Sequence, residues 1–400
     1  MKGGTPNFVG ARLREAREVR GLTQLALSEL LDVSAQAISQ YETGQSSPHP
    51  LVMEKLPTLL HVQPAFFVTP RPQETDTPLF FRSMSRTTLA ARTRAKHKYH
   101  WLKDLVDYLS EYVELPKVNL PPCPFPDDPL QISMREVEQA AADLRRYWGL
   151  GTGAISNMTY LLENQGVMVT RIALGADTLD AFSNWRQEQQ RPYVVLGTDK
   201  AAAARTRLNA AHELGHMVLH RHIQQDLIRN SQTFKLMEAQ AFHFAGAFLL
   251  PMESFAASFR VPTLDGLTSL KLQWNVSIAA MLIRARDLDL VSADEEQRLW
   301  RNYARRGYRK REPLDDQVAP EDPAVLEQSV RLLVEQQVQS REQIRAALPL
   351  APAEIEALAG LPAGYLSDTP QVHLLQPRSE SPPSASPPSE RGKVMHLPAR

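Results

Sequence analysis

The sequence has almost no cysteine. Among its 400 residues only Cys123 carries a thiol, so a disulfide within the chain is excluded. This composition is typical of a protein in a reducing compartment. A structural zinc site built on several cysteines is excluded for the same reason. Any zinc ion must therefore be bound by histidine and carboxylate side chains.

The chain also lacks a net charge and a long apolar run. Its 45 Lys and Arg balance its 45 Asp and Glu, which argues against a protein that binds nucleic acid or membranes by overall charge. No apolar segment approaches the length that a membrane-spanning helix needs, and none follows the N-terminus in the manner of a secretory signal. We therefore expect a cytoplasmic protein that does not bind membranes.

Hydrophobic periodicity predicts many helices and few strands. Apolar residues recur at helical spacing over most of the chain, whereas two short runs rich in β-branched residues predict strands. The predicted helices cover 98–114, 133–149, 201–220, 233–250, 263–312 and 323–360, after several short helices within 8–68. The predicted strands cover 166–173 and 192–197. Helices mixed with so few strands predict an α+β domain in the middle of a mainly α chain.

Two short helices with matching starts are predicted near the N-terminus. Thr23 and Ser34 are suitable N-cap residues, and Gly44 is suitable just after the end of the second helix. Two helices joined by so short a turn are typical of a helix-turn-helix, whose second helix contacts base edges with its first turns. The positions left outward near that end are Ala35, Gln36, Ser39 and Gln40.

The segments Gly21–Gln24 (GLTQ) and Val33–Gly44 (VSAQAISQYETG) resemble the phage-repressor-type (XRE) helix-turn-helix family. The resemblance implies double-stranded DNA as a partner and a phosphate contact from Gln24. The predicted DNA interface comprises Gln24, Ser34, Ala35, Gln36, Ser39 and Gln40. The second helix has no Arg or Lys, so affinity would depend on nearby arginines and on a homodimer. The alternative is a helical dimerisation module that does not bind DNA.

The segment Ala211–His216 (AHELGH) carries the clearest chemical signal. His212 and His216 are four residues apart, so they project from one face of a helix and can bind one ion. Glu213 lies beside them and can activate a water molecule as a general base. The apolar flanking residues predict a buried helix, in which polar side chains need a partner such as a metal. We therefore predict a Zn²⁺ site with His212 and His216 as ligands and Glu213 as the catalytic residue.

The motif alone leaves the third protein ligand of a catalytic zinc ion open. His222 has the spacing of a metzincin ligand, but Leu219 stands where that motif has a glycine to turn the chain. His220 continues the stripe of His212 and His216. Three ligands along one helix would span roughly 12 Å, too far to close on one ion. His220 is therefore interpreted as a contact of the ligands or of the substrate.

Glu238, on the following predicted helix, is the preferred third ligand. It recurs with Ala241 and Ala245 at helical spacing on a buried face, and the alanines would allow close approach to the helix with the histidines. A glutamate from the next helix gives the His, His and Glu ligands of a gluzincin. Asp226, in the intervening loop, stays an alternative. His243 is interpreted as a packing or surface residue.

Longer stretches around these residues resemble the ImmA/IrrE family of metallopeptidases, which often follow an XRE domain. They are 211–220 (AHELGHMVLH), 238–241 (EAQA) and 244–251 (FAGAFLLP), with shorter matches at 80–83, 148–151, 162–167 and 180–183. The stretch 240–243 (QAFH) departs from the more polar sequence frequent in the family. The resemblance implies zinc bound by His212, His216 and Glu238, Glu213 as the base, and cleavage of a repressor protein that relieves transcriptional repression.

The sequence therefore predicts a DNA-binding transcriptional regulator with zinc-dependent endopeptidase activity, whose substrate is a repressor or other regulatory protein. Glu213 favours hydrolysis, because a purely structural zinc site would not need it. The alternative is a DNA-binding regulator whose zinc domain is a non-catalytic sensor or interaction module. His220, His222 and Tyr160 are unranked candidates for stabilising the oxyanion.

The predicted fold is multidomain and mainly α. An all-α helix-turn-helix domain precedes an α+β zincin-like (gluzincin) metallopeptidase domain and a helical C-terminal region. The proline-rich run at 115–129 and the Pro/Ser-rich end mark a connector and a disordered tail. The predicted segments are the helix-turn-helix domain at 8–68, the helical and proline-rich linker at 69–129, the metallopeptidase domain at 130–262, the helical region at 263–375 and the tail at 376–400.

Overall fold

The N-terminal region contains the predicted pair of short helices. The Thr23 side chain accepts a hydrogen bond from the backbone N–H of Ala26, and that of Ser34 from Ala37, so both predicted N-caps are confirmed. Asp32 ends the first helix of the pair in a left-handed conformation with φ of 56°. The helices of this region are α1 (Gly10–Val19), α2 (Gln24–Leu31), α3 (Ala35–Glu42) and α4 (Pro50–Leu60).

This computed structural model describes residues 4–71, 80–81, 88–176, 179–186, 190–199, 203–223 and 225–367. The predicted tail at 376–400 lies outside the described residues, and so does the Arg82-Ser83 half of the match at 80–83. Among the described helices, none is both long enough and apolar enough to cross a membrane.

Helix α5 (Leu89–Ser110) starts nine residues before the predicted 98–114. Thr88 caps it, and its first turns bury only small alanines, so the apolar periodicity of long side chains is missing there. His97, also in this first half, contacts Glu18 of α1 at 2.9 Å. The helix therefore continues into a stretch whose packing the hydrophobic pattern does not reveal.

A four-stranded sheet lies between two hydrophobic cores. Its strand order is β1-β3-β4-β2, with β2 parallel to β4 and the other neighbours antiparallel. The two predicted strands are confirmed as β2 and β4, whereas β1 and β3 were not predicted. The strands are β1 (Phe80–Phe81), β2 (Met168–Ile172), β3 (Ala181–Arg186) and β4 (Arg191–Gly197).

Strand β3 escaped prediction because two of its buried residues are polar. Ser183 and Asn184 are each 1% exposed. Asn184 accepts a hydrogen bond from the Tyr99 hydroxyl of α5 at 2.6 Å, and Ser183 donates one to Glu213 at 2.5 Å. These tertiary partners make burial of the polar side chains favourable, and nothing in the strand's own sequence indicates them.

One core lies on the face of the sheet that carries Val169, Val194 and Leu196. Alternate residues of a strand point to opposite faces, so these positions share a side with Ser183. Helix α8 packs directly on β3 and β4 here, and α10 packs against α8 and α6. The helices of this core and its surroundings are α6 (Met134–Tyr147), α7 (Met158–Asn164), α8 (Ala203–Leu219), α9 (Gln225–Arg229), α10 (Ser231–Leu249), α11 (Met252–Ser258), α12 (Leu264–Trp274), α13 (Ile278–Asp287) and α14 (Ala293–Arg305).

The other core joins the helix-turn-helix to the opposite face of the sheet. Met168, Phe182 and Tyr193 of the sheet belong to it, together with residues of α1 to α5 and of three C-terminal helices. Those helices are α15 (Val325–Glu335), α16 (Arg341–Ala347) and α17 (Pro352–Ala359). The predicted C-terminal region at 263–375 thus contributes α12 to α14 to one core and α15 to α17 to the other. The predicted domain boundaries stay predictions.

Polar contacts reinforce this second core. The Gln63 side-chain amide, after α4, donates to the backbone carbonyl oxygens of Arg345, Leu348 and Leu350 at 2.7, 3.1 and 2.8 Å. Arg20, at the end of α1, forms an ion pair with Glu354 of α17 at 2.6 Å. The helix-turn-helix is therefore anchored directly to the C-terminal helices.

Candidate metal centre and helix-turn-helix surface

Helix α8 carries the AHELGH segment and packs against strands β3 and β4 of the sheet. His212, Glu213 and His216 are all completely buried. Apolar neighbours in α8, including Ala211 and Leu214, fill the core around them. The predicted burial of this helix is confirmed, and its polar side chains point to one side of it.

The side chains of His212, His216 and Glu238 converge. The Nε2 atoms of the two histidines are 3.1 Å apart, and Glu238 lies 3.2 Å from His216 Nε2 and 3.5 Å from His212 Nε2. Within the described residues, this is the group of three whose donor atoms all lie within 4.8 Å of one another. Two imidazole nitrogens and one carboxylate fit a catalytic zinc ion, because they leave a fourth position open.

Close packing of α8 and α10 brings Glu238 to the histidines. A Cβ atom added to Gly215 would lie 3.2 Å from both the Cα and the carbonyl oxygen of Ala241, and 3.2 Å from the Phe244 ring. Glycine and alanine at this crossing therefore allow the two backbones to approach closely. The sequence analysis placed Glu238 on the alanine-rich face of α10, and this close packing of the two helices agrees with that expectation.

Burial and charge act against each other in the cluster. Burial would raise the pKa of Glu238, but hydrogen bonds and charge from His212 and His216 outweigh it and lower the pKa to about 2. Burial would lower the pKa of His216, but the carboxylate of Glu238 raises it overall. Glu238 is therefore an anion over the physiological pH range, as a metal ligand must be.

Ser183 is a residue of this site to which the sequence assigned no role. Its hydroxyl donates to Glu213 Oε2 at 2.5 Å from strand β3. A hydrogen bond to an ionised carboxylate is short and strong, so it fixes the direction of the Glu213 side chain. In the sequence analysis, Ser183 was named only as the last residue of the stretch at 180–183 that resembles the ImmA/IrrE family.

We expect Ser183→Ala to lower kcat for peptide hydrolysis about 10-fold with little change in KM, because a hydrogen bond to a charged group contributes about 1.5–3 kcal/mol. Steady-state kinetics with a peptide substrate measures this split. Ser329→Ala is the matched control, since Ser329 is also a buried serine and bonds only within α15. An unchanged kcat in Ser183→Ala would contradict the positioning role.

The other ligand candidates lie elsewhere. His222 and Asp226 are exposed and do not belong to the cluster of three. His220 is completely buried, and its two ring nitrogens each lie 3.0 Å from a partner, namely His216 Nδ1 and the Gln240 carbonyl oxygen. Burial, and then the charge of His216, lower the pKa of His220 well below its usual value.

Tyr160 and His243 are two further residues named in the sequence analysis, and the structure shows the surroundings of both. Tyr160 is 58% exposed. His243 lies 3.1 Å from Glu138 and 3.7 Å from Asp287. Hydrogen bonds to Asp287 and Glu138 raise the pKa of His243 to about 9. It is therefore a cation in an ion-pair cluster.

A cavity of about 1200 Å³ is lined mainly by residues of α8, α10, α13 and the segment after α14, and His212, Glu213, His216 and Glu238 are not among its lining residues. Phe242 lines it and also contacts the His212 ring, with the ring centroids 4.4 Å apart. Leu208, one turn before His212, lines the same cavity. Phe242 therefore connects the wall of the cavity with the His212 ring.

The predicted DNA-facing positions cluster at the start of α2 and along α3. Ser34 and Gln36 are exposed, whereas Ala35, Ser39 and Gln40 are partly buried. Gln24 donates to Glu42 Oε2 at 2.8 Å. Glu42 itself is 4% exposed and pairs with Arg17. The bond to Glu42 fixes the Gln24 side chain at the start of α2.

Comparison with known proteins agrees with these two regions. The sequence model of the helix-turn-helix family matches residues 13–67, and that of the IrrE N-terminal-like domain, the Peptidase_M78 family, matches residues 162–286. The chain therefore joins a helix-turn-helix of the XRE type to an IrrE N-terminal-like domain, as the sequence resemblance predicted.

One curated relative is similar to a short stretch of the chain. The "Uncharacterized HTH-type transcriptional regulator y4aM" of Sinorhizobium fredii (strain NBRC 101917 / NGR234) is 29% identical over 68 residues. These residues make up 17% of this chain and 48% of the relative. The chain thus spans about half the length of the curated relative it matches.

Proposed function

We propose that this protein is a zinc-dependent endopeptidase joined to a DNA-binding helix-turn-helix, and that it cleaves a repressor or other regulatory protein. The observation that carries the proposal is the convergence of His212, His216 and Glu238 beside Glu213. The match to the Peptidase_M78 family supports it independently of that geometry. Within the proposed site, His212, His216 and Glu238 are the zinc ligands.

The residues around the ligands have separate tasks in the proposed hydrolysis. When bound, zinc supplies Lewis acidity and lowers the pKa of a water molecule to about 7. Glu213 takes a proton from the attacking water and passes it to the leaving amine. Ser183 holds the Glu213 carboxylate in place. Phe242 packs its ring against that of His212 and so supports this ligand from the side of α10.

Limited proteolysis tests the proposed activity. The zinc-loaded chain is incubated with a candidate repressor protein, and the products are identified by mass spectrometry. Cleavage by the wild type that is absent with Glu213→Gln would support the peptidase. If both proteins leave the repressor intact but zinc uptake changes DNA binding, the zinc domain is a sensor and the proposal is wrong.

DNA binding is proposed for the start of α3. Ser34 and Gln36 are exposed there, and Gln24 is fixed at the start of α2 by its bond to Glu42. In helix-turn-helix proteins these positions contact the DNA backbone and the base edges of the major groove. The proposed partner is double-stranded DNA, bound by a homodimer.

We expect Gln36→Ala to weaken binding to a specific operator about 10-fold, because a good side-chain pair with a base is worth about 1–3 kcal/mol. A gel-shift titration of the full chain on its own upstream region measures the affinity. Gln336→Ala, on an exposed glutamine just after α15, is the control. Equal affinities of the two variants would remove Gln36 from the interface.

A further inference from the structure

Three completely buried side chains, Gln240, His220 and His216, form a continuous hydrogen-bonded chain that leads away from the metal centre. The Gln240 carbonyl oxygen lies 3.0 Å from His220 Nε2, and His220 Nδ1 lies 3.0 Å from His216 Nδ1. The opposite nitrogen of His216, Nε2, faces His212 and Glu238. The hydrogen-bonded chain therefore ends on Nδ1 of His216, the residue whose other ring nitrogen would bind zinc.

The Gln240 amide can have only one orientation. Its Nε2 donates to the backbone carbonyl oxygens of Pro129 and Ile132, both at 2.8 Å. These oxygens can only accept hydrogen bonds, so exchanging the amide nitrogen and oxygen would place three acceptors together. The Gln240 oxygen must therefore face His220.

This orientation determines where the protons lie on both histidines. His220 Nε2 faces an acceptor, so it carries the proton. A neutral imidazole has one N–H, which makes its Nδ1 an acceptor. A cationic His220 would be a fully buried charge whose direct partners, Gln240 and His216, are not anions, which is unfavourable. His216 must therefore donate from Nδ1 to His220, which leaves its Nε2 to face His212 and Glu238.

We propose that Gln240 and His220 are positioning residues that keep a proton on His216 Nδ1 and so hold the ring with Nε2 directed at the zinc site. Metal-binding histidines usually donate their other N–H to a carboxylate or a backbone carbonyl, and this contact fixes the ring and its tautomer. Here His220 accepts that N–H of His216 instead. The tautomer of His220 is set in turn by Gln240, whose amide nitrogen donates to two backbone carbonyl oxygens. The inference rests on the proposed zinc centre.

We call the hydrogen-bonded chain of Gln240, His220 and His216 the relay, and it includes one residue of the stretch 240–243. Only Gln240 of that stretch bonds to the histidine chain, whereas Phe242 lines the cavity. His220 likewise has a task that does not require it to reach the metal ion.

Two measurements test the relay. Long-range ¹H–¹⁵N correlation spectra of the zinc-free wild type with ¹⁵N-labelled histidine show whether His216 Nδ1 carries a proton, and we expect that it does. Competition with a chromophoric chelator measures zinc affinity in variants. His220→Leu, which removes the acceptor, should weaken zinc binding about 10–100-fold. His220→Asn, whose side-chain oxygen lies near the Nδ1 position, should recover most of that loss.

His222→Leu is the matched control, since His222 is an exposed histidine two residues away, and we expect unchanged zinc affinity. The wild-type spectrum needs no variant, so the test survives even if His220→Leu does not fold. A His216 Nδ1 that carries no proton, or wild-type affinity in folded His220→Leu, would overturn the relay alone. A wild type that takes up no zinc would overturn the proposed function, and the role of the relay with it.

Discussion

Glu213→Gln is expected to reduce peptide hydrolysis by about 10²–10⁴-fold, the usual contribution of a general base, while the protein keeps its zinc. The carboxamide has nearly the same shape as the carboxylate and can still accept a hydrogen bond from Ser183, but it cannot take a proton from water. The measurements are cleavage rates with a peptide or protein substrate and the zinc content after dialysis.

Glu253→Gln provides the control for this change, because Glu253 is an exposed glutamate in α11. It should hydrolyse substrate at the wild-type rate. Full activity in Glu213→Gln would show that the zinc domain uses another base. A loss of zinc along with activity would show that Glu213 acts on the metal site itself.

Removal of a ligand has a second large expected effect. Loss of a residue that only supports a ligand weakens zinc binding by ~10–100-fold. His212→Ala and Glu238→Ala should each weaken zinc binding by more than that, because each removes one of only three protein donors. Metal analysis of the purified proteins and chelator competition measure this. Activity should fall in parallel with zinc content.

The competing candidates provide controls for the third ligand. Asp226→Ala and His222→Ala change exposed side chains outside the cluster, and both should retain wild-type zinc affinity. Full zinc in Glu238→Ala, combined with loss in Asp226→Ala, would transfer the ligand role to α9, the short helix in which Asp226 lies instead of the predicted loop. Unchanged zinc content in all four variants would mean that the metal binds elsewhere.

The parts of the fold that depend on local pattern could be predicted from the sequence. Thr23 and Ser34 cap helices because their side chains satisfy the first backbone N–H groups of each helix, which is a local interaction. The four-residue spacing of His212 and His216 places them on one face for an equally local reason. Glu238 required one further step, the assumption that a stripe of alanines faces α8.

The remaining features depend on contacts between residues far apart in the sequence. Strand β3 contains buried Ser183 and Asn184, whose partners are Glu213 and Tyr99. The first half of α5 is helical although long apolar side chains do not recur there. The role of Gln240 depends on carbonyl oxygens more than 100 residues earlier in the chain. Neither propensity nor periodicity carries information about such pairings.

The second core has a consequence for how such a chain can be rearranged. DNA-binding domains are often treated as interchangeable modules that a flexible linker attaches to any partner. Here α1 and α4 share apolar packing with α5, α15 to α17 and one face of the sheet. A helix-turn-helix moved into another protein would expose its own apolar surface to solvent unless α5 and α15 to α17 were moved with it. Substitutions that alter the surface proposed to bind DNA without exposing the core are therefore confined to the outer side of α2 and α3.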